Sequence, residues 1–263
     1  MDFSIIIVNY KTPDLTRNCL ESIISRWPKD LWEIIVVDNG SGDDSARRLE
    51  AEFGADIKLI KNRENLGFAR ANNQGAKIAG GKYLFFLNSD TTVNDNFLED
   101  WSRRLSGDKT IGLIAPCLLD EGGGKQAKAY GPFPTISYLL YKNLISRRDN
   151  DFPKRADWVS GAALAIRRDL FAALGGWDEN FFLYLEDVDL SWRVRQAGYR
   201  VVRDENARVS HHQGGSPALS REKRQYYFAS QDYLFRKYYG RWALIALKIL
   251  RLPYRIHKNS SNK

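Results

Sequence analysis

A chain of 263 residues, 43% apolar and 13% aromatic, holds enough for one large domain or two small ones with a sizeable core, which excludes disordered and low-complexity classes. Two cysteines far apart in sequence, Cys19 and Cys117, exclude a disulfide framework or a CxxC metal site and fit a reducing cytoplasm. The net charge of +8 belongs to the tail: residues 220–263 hold eleven Lys/Arg against two acids, and the residues before them hold 29 basic and 30 acidic side chains, so the body is neutral and carries no nucleic-acid signature.

The first residues, MDFSIIIVNY, place an acid at position 2 and no basic leader before the apolar run, so no signal peptide is expected. No apolar run reaches the ~18 residues of a transmembrane helix. Phe3–Val8 and Glu33–Val37 are β-branched runs of strand length. Between them Thr12 stands as a cap before Pro13, with Leu15, Cys19, Leu20, Ile23 and Ile24 at helical spacing. The order then repeats: helix over Asp43–Phe53 capped by Ser41, strand Ile57–Ile60, helix Gly67–Ile78, strand Lys82–Leu87, helix Asn94–Leu105, strand Ile111–Ala115. Continuous apolar strands alternating with helices predict a parallel sheet covered on both faces. After Pro116 comes a Gly-rich stretch, and Tyr138–Asp151 reads as a loop or acceptor-side insertion. Order returns with a strand over Asp157–Ile166, a short helix Arg168–Leu174, a helix Glu186–Gln196 with Gly198 as its C-terminal cap, and a final strand Tyr199–Arg203.

Three strands end in polar residues: Asn9-Tyr10, Asp38-Asn39 and Asn88-Ser89-Asp90. Each alone reads as a turn, but in a parallel sheet the three ends share one edge, where such folds bind ligands. Asp38 suits a ribose hydroxyl or a base N–H. The stretch NLGFARANN, Asn65–Asn73, starts a helix with Gly67 and puts Arg70 in its first turn, where a cation is unfavourable unless an anion such as a diphosphate lies nearby. Glu186, Asp187 and Asp189 sit in four positions beside Phe181, Phe182 and Tyr184. An acidic first turn suits the helix dipole, while mutual repulsion and apolar walls raise a carboxyl into the range of a general base. His211 and His212 precede a Gly-rich turn, which favours a metal or phosphate role.

The stretches SIIIVNY, IIVVDNGSGDDS, NRENLGFARANNQG, YLFFLNSD, WVSGAALAIRRDLFAALGGWDENFFLYLEDVDLSWRVRQAG and HHQGGS together resemble family 2 glycosyltransferases of the glycosyltransferase A fold, and most closely the bacterial rhamnosyltransferase-like branch that builds surface polysaccharides such as O-antigen and cell wall. The resemblance covers roughly residues 3–235. It implies an α/β fold with a mostly parallel central sheet and helices on both faces, a nucleotide-sugar-binding half over 1–116 and an acceptor and catalytic half over 117–235. Asn88-Ser89-Asp90 stands at the family's Asp-x-Asp metal motif with Asn for the first Asp, so Mg2+ or Mn2+ is expected on Asp90 with His211. By the same resemblance Asn9, Tyr10, Asp38, Asn65, Gly67, Arg70, Asn73, Asn88, Ser89 and Asp90 face the donor. Asp187 is the catalytic base, and Trp177, Asp178 and Glu186 line the acceptor side. Asn-x-Asp tilts the donor toward dTDP-rhamnose over UDP-Gal, UDP-Glc or UDP-GlcNAc, with a glycan or lipid-linked saccharide as acceptor. A nucleotidyltransferase is disfavoured because Ser4–Pro13 lacks a Gly-rich basic signature.

Residues 236–263 form a basic amphipathic tail. On a helix, Arg241, Lys248, Arg251 and Arg255 make one stripe and Trp242, Ile245, Ile249 and Leu252 lie beside it, with Pro253 bending the last turn. This pattern suits an anionic membrane surface, placing the protein peripherally at the inner face of the cell membrane. The alternatives are a helix packed on the core and a nucleic-acid-binding tail.

Overall fold

The computed structural model describes residues 1–127, 129–135, 137–138, 156–212 and 220–251. The expected insertion after Tyr138, Gln213–Ser216 of the HHQGGS stretch, and the tail beyond Arg251 lie outside the described residues.

Strand β1 (Phe3–Asn9) leads through helix α1 (Pro13–Arg26) to β2 (Trp32–Asp38), and α2 (Ser45–Phe53) leads to β3 (Ile57–Lys61). Helix α3 (Phe68–Ile78), β4 (Tyr83–Asn88), the short β5 (Thr91–Val93), α4 (Leu98–Gly107) and β6 (Ile111–Leu119) follow. A two-stranded ribbon of β7 (Tyr130–Gly131) and β8 (Trp158–Val159) precedes β9 (Ala163–Arg167), α5 (Arg168–Ala173), α6 (Glu186–Gln196), β10 (Arg200–His211) and α7 (Arg221–Leu250).

The main sheet runs β3-β2-β1-β4-β9-β6-β10-β5. Strands β3, β2, β1 and β4 are mutually parallel, and so are β6 and β10. The expected parallel sheet is thus mostly parallel: β9 is antiparallel to both β4 and β6, and β5 is antiparallel to β10. Both faces are covered. Phe3, Ile5 and Ile7 of β1 face a core with Leu20, Ile23 and Trp101, while Ile6 faces the opposite core with Ala69, Phe86 and Trp177. This explains why β1 is apolar at successive positions rather than alternating. Each such fully buried side chain stabilises the fold by about 1.5–3 kcal/mol.

Three departures from the expected elements matter for the site. The strand expected over Asp157–Ile166 is cut at Ser160-Gly161-Ala162, which turns between β8 and β9. The final strand extends to His211 rather than ending at Arg203, with a register shift between Asp204 and Arg208 where it crosses the end of β6. The fourth helix starts at Leu98, not Asn94, because the Asn94 side chain accepts from Ser210 N (2.8 Å) and Ser210 Oγ (3.1 Å) and is held on β10.

Candidate active site

Because β1, β2 and β4 are parallel and in register, Asn9 lies opposite Asp38, and Val8 opposite Asn88. The polar strand ends therefore share one edge. Buried Asn9 spends both amide hydrogens, on Asp38 Oδ1 (2.7 Å) and Ser41 Oγ (3.2 Å). Its Oδ1 accepts from Thr16 (2.8 Å) and Thr12 (3.3 Å). Asn9 has no capacity left for a ligand: it fixes Asp38 rather than facing the donor. Ser41, expected to cap α2, instead donates to Asp38 Oδ1 at 2.6 Å. Among the described residues Asp38 Oδ2 receives only the Ser41 N–H at 3.3 Å, so this oxygen keeps acceptor capacity. Tyr10 is exposed at the same edge.

Asn39 holds the next loop. Its Nδ2 donates to Asn65 Oδ1 (2.9 Å), and its Oδ1 accepts from Leu66 N (3.1 Å). Asn65 in turn accepts from Gly67 N at 2.9 Å, so Asn65 shapes the loop. Gly67 has φ +85°, and an added Cβ would stand 2.7 Å from Phe182 O. Phe68 N donates to that same carbonyl at 2.8 Å, which welds the start of α3 to the segment before α6. Arg70 pairs with Glu179 at 3.3 Å on the surface, and that carboxylate offsets its unfavourable helix position.

Three further residues expected at the ligand belong to the scaffold. Asn73 bridges Trp177 O (2.9 Å), Trp177 N (3.0 Å) and Glu179 Oε1 (3.0 Å), which uses all of its amide hydrogens. Trp177 does not line an acceptor surface: it is 1% exposed, packed edge-on against Phe86 and Phe68. Asp178 accepts from Lys237 Nζ (2.7 Å), Tyr233 OH (2.9 Å) and Asn180 N (3.0 Å). Burial would raise its pKa, but Lys237 and Asn180 outweigh that and hold it at about 2.

Asn88, Ser89 and Asp90 are half-buried at the end of β4, with Ser89 Oγ 3.1 Å from Thr12 Oγ1. Pairing of β10 with β5 brings His211 opposite Thr91 and its Nε2 to 3.2 Å from Asp90 Oδ1. The other ring nitrogen, Nδ1, meets buried Gln126 Oε1 at 3.0 Å. A carbonyl oxygen requires a proton on Nδ1, so in the neutral ring the Nε2 lone pair faces a carboxylate oxygen. Two acceptors at that distance repel unless a proton or a cation sits between them. His212 meets Thr92 Oγ1 instead, at 3.2 Å, so the ring turned to Asp90 is that of His211. Among the described residues no cluster of three or more His, Cys, Asp or Glu stands ready for a metal. A donor set of one carboxylate and one imidazole fits a cation that takes its remaining ligands from substrate phosphate and water.

The turn at 160–162 joins this edge to the acidic helix start. Ala162 O accepts from Asn88 N (2.8 Å), and Gly161 N donates to Asp187 Oδ2 (2.9 Å). Asp187 Oδ1 accepts from Val188 N at 2.8 Å. Tyr184 and Leu185, immediately before α6, have φ +72° and +67°. A left-handed conformation costs a non-glycine residue about 1–2 kcal/mol, and such strain collects at functional sites. It is held there by Ser230 Oγ donating to Leu183 O (2.8 Å) and by Tyr226 packed on the Phe182 ring.

The three acids of this segment have three environments. Asp189 is fully buried and bound by Lys237 (2.5 Å), Tyr238 OH (2.7 Å) and Arg193 (2.7 Å). Glu186 is buried, and among the described residues its Oε2 has no hydrogen-bond partner. Desolvation pushes its carboxyl well above the usual range, and the Asp187 charge adds to the rise. Asp187 is half-buried; desolvation raises its pKa, opposed by the N–H groups of Gly161 and Val188. Two neighbouring carboxyls with raised pKa values titrate as a pair.

Gln126 and Gly161 are absent from the sequence-based expectations, where Ser41 stands only as a helix cap and Asn39 only as a polar strand end. Ser41 carried a usable signal, since a serine three residues after a strand-end Asp forms a local turn with it. Gly161 carried none, being embedded in an apolar run.

Residues 4–175 match the family described as Glycosyl transferase family 2, and the chain belongs to it. The match ends before Asp187 and His211. The chain is 29% identical over 225 residues to the O-antigen biosynthesis protein RfbC of Myxococcus xanthus, covering 80% of this chain and 17% of that protein. It is 26% identical over 209 residues to the N-acetylglucosaminyl-diphospho-decaprenol L-rhamnosyltransferase of Mycobacterium tuberculosis, covering 70% and 67%. The crystal structure of GalNAc-T7 with UDP, GalNAc and Mn2+ superimposes with a TM-score of 0.64 at 21% identity, over 88% of this chain and 50% of that one. The fold is therefore the glycosyltransferase A fold, and the chain spans a fraction of the length of several proteins it resembles.

Proposed function

We propose that the protein is an inverting glycosyltransferase that moves a sugar, L-rhamnose from dTDP-rhamnose in the best-supported case, onto a glycan or lipid-linked saccharide in surface-polysaccharide synthesis. One observation carries the transfer reading: the turn at 160–162 touches both the Asn88–Asp90 strand end and Asp187, so a donor-holding edge and a candidate base face one place. Asp38 Oδ2 would accept from the nucleoside. Asp187 in its ionised form would take the proton of the acceptor hydroxyl as that oxygen bonds to the anomeric carbon and the bond to the diphosphate oxygen breaks. The N–H groups of Gly161 and Val188 hold the carboxylate in place without consuming all its lone pairs. Asp90 and His211 would hold a Mg2+ or Mn2+ ion, which would neutralise charge on the departing nucleoside diphosphate.

The rhamnosyl donor is supported by the resemblance to the mycobacterial rhamnosyltransferase and by the Asn88-Ser89-Asp90 motif. UDP-sugars are the second reading, favoured by the UDP complex of GalNAc-T7. The test is nucleoside diphosphate release from dTDP-rhamnose, UDP-Gal, UDP-Glc and UDP-GlcNAc, with Mn2+ or with chelator. Metal-dependent release from dTDP-rhamnose above the UDP-sugars is expected. Release from a UDP-sugar alone overturns the donor assignment, and release from none of the four overturns the proposed donor set.

A further inference from the structure

Helix α7 is not continuous. Gly240 has φ +81° and ψ −173°, a conformation that breaks the helix and sends residues 241–250 back along the first half. Arg251 then reaches Asp232 Oδ1 and Gln231 Oε1, each at 2.6 Å, and lies over the Phe228 ring. Ala243 and Leu247 pack on Phe235. The return helix is therefore anchored by one face, and the first half is anchored in turn on the catalytic segment through Ser230, Tyr233 and Lys237.

The opposite face has no cover among the described residues. Trp242 is 83% exposed, Ile249 59% and Ile245 48%. At 3.6 residues per turn these three fall within an arc of about 60°, and Arg241 and Lys248 lie together along one border of it. A helix packed by one face should be polar on the other; this one is apolar with a basic border. Residues 240–263 contain six Lys/Arg and no acid, whereas the residues before 220 are near neutral.

We infer that the helix after Gly240 is a docking element for an anionic lipid surface, with Trp242, Ile245 and Ile249 entering the headgroup boundary and Arg241 and Lys248 meeting lipid phosphates. A bilayer fits this face better than a protein partner. Three apolar side chains on one short helix offer far less area than the roughly 800 Å2 a stable protein contact buries per partner. An indole with basic neighbours suits the lipid–water interface. No helix among the described residues is long and apolar enough to cross a membrane, so this contact would be interfacial. It stands independently of the sugar-transfer reading.

The test is flotation of the full chain with phosphatidylcholine vesicles, with and without phosphatidylglycerol, alongside Trp242→Ser/Ile249→Ser and Arg241→Glu/Lys248→Glu variants. All four positions are exposed, and unchanged melting curves would show that the variants fold. Tryptophan fluorescence reports directly, because Trp27, Trp32, Trp101 and Trp177 are buried and Trp242 is the most exposed indole among the described residues. The expected result is salt-sensitive flotation on anionic vesicles, a blue shift on binding, and at least a tenfold loss of bound protein in each variant. Three results would each overturn the inference: no flotation, equal flotation of parent and variants, or a dimer in sedimentation that the Trp242→Ser/Ile249→Ser variant dissociates.

Discussion

Replacing Asp187 with Asn separates catalysis from architecture. The two carboxylate oxygens each receive one backbone N–H, from Gly161 and Val188. An amide can present an oxygen to only one of them and must turn its NH2 toward the other. Leaving one N–H unpaired costs about 1–3 kcal/mol when buried. Water can reach this half-buried position, so the lower end applies, a fall of about 2–4 °C in Tm for a domain of this size. Catalysis should suffer far more. Loss of a general base removes about 10²–10⁴ in rate, or about 3–5 kcal/mol of barrier. The variant should melt a few degrees below the parent, bind nucleoside diphosphate with unchanged affinity by calorimetry, and lose turnover by at least a hundredfold. Turnover within tenfold of the parent would refute the base assignment. Joint loss of nucleotide affinity and activity would make Asp187 a donor or metal residue.

Gly161→Ala puts a methyl group 3.3 Å from Asp187 Cβ, so the Asp187 carboxylate must move by a few tenths of an ångström; if it is the base, kcat should drop about tenfold or more with Tm and donor affinity little changed. Lys237→Met removes one of three partners of the fully buried Asp189, which keeps Arg193 and Tyr238, and one partner of Asp178; it should cost about 1–3 kcal/mol in urea unfolding. Asp178 adds its own pH signature: with its pKa held at about 2, below the unfolded value, its contribution is present above about pH 4 and fades as pH falls toward 2. Glu186→Gln should do the reverse. A raised carboxyl pKa means the folded state holds the proton longer, so stability falls as pH rises through the raised range; the amide removes that fall, and the variant should gain about 1 kcal/mol over the parent at alkaline pH.

The apolar runs of β1, β2 and β4 and the full span of α6 were legible in the sequence because they follow simple periodicity. Strand direction was not. Leu164 and Ile166 look like any parallel core strand, and only pairing with β4 and β6 reveals β9 as antiparallel. The length of β10 was hidden by its composition, since RVVRDENARVSH carries the polar pattern of a strand with a register shift near the sheet edge. At the site, residue types advertised the edge but not the division of labour. Asn9, Asn73 and Asp178 look like ligand residues because amides and carboxylates serve both tasks; only counting their hydrogen bonds shows them spent on the scaffold. The family resemblance places Trp177 on the acceptor side, yet Phe86, Phe68 and Phe171 enclose it. The choice between His211 and His212 needed the β5–β10 pairing.

The most direct measurement is calorimetric titration of dTDP and UDP into the parent and Asp90→Ala proteins, with and without Mn2+. The proposed convergence of Asp38, Asp90 and His211 on one nucleotide predicts binding to the parent that strengthens at least tenfold with Mn2+, and loss of that increment in Asp90→Ala while metal-free affinity persists. Equal affinity with and without metal, or an Asp90→Ala protein that keeps the full increment, would contradict a cation-assisted donor site at this strand end.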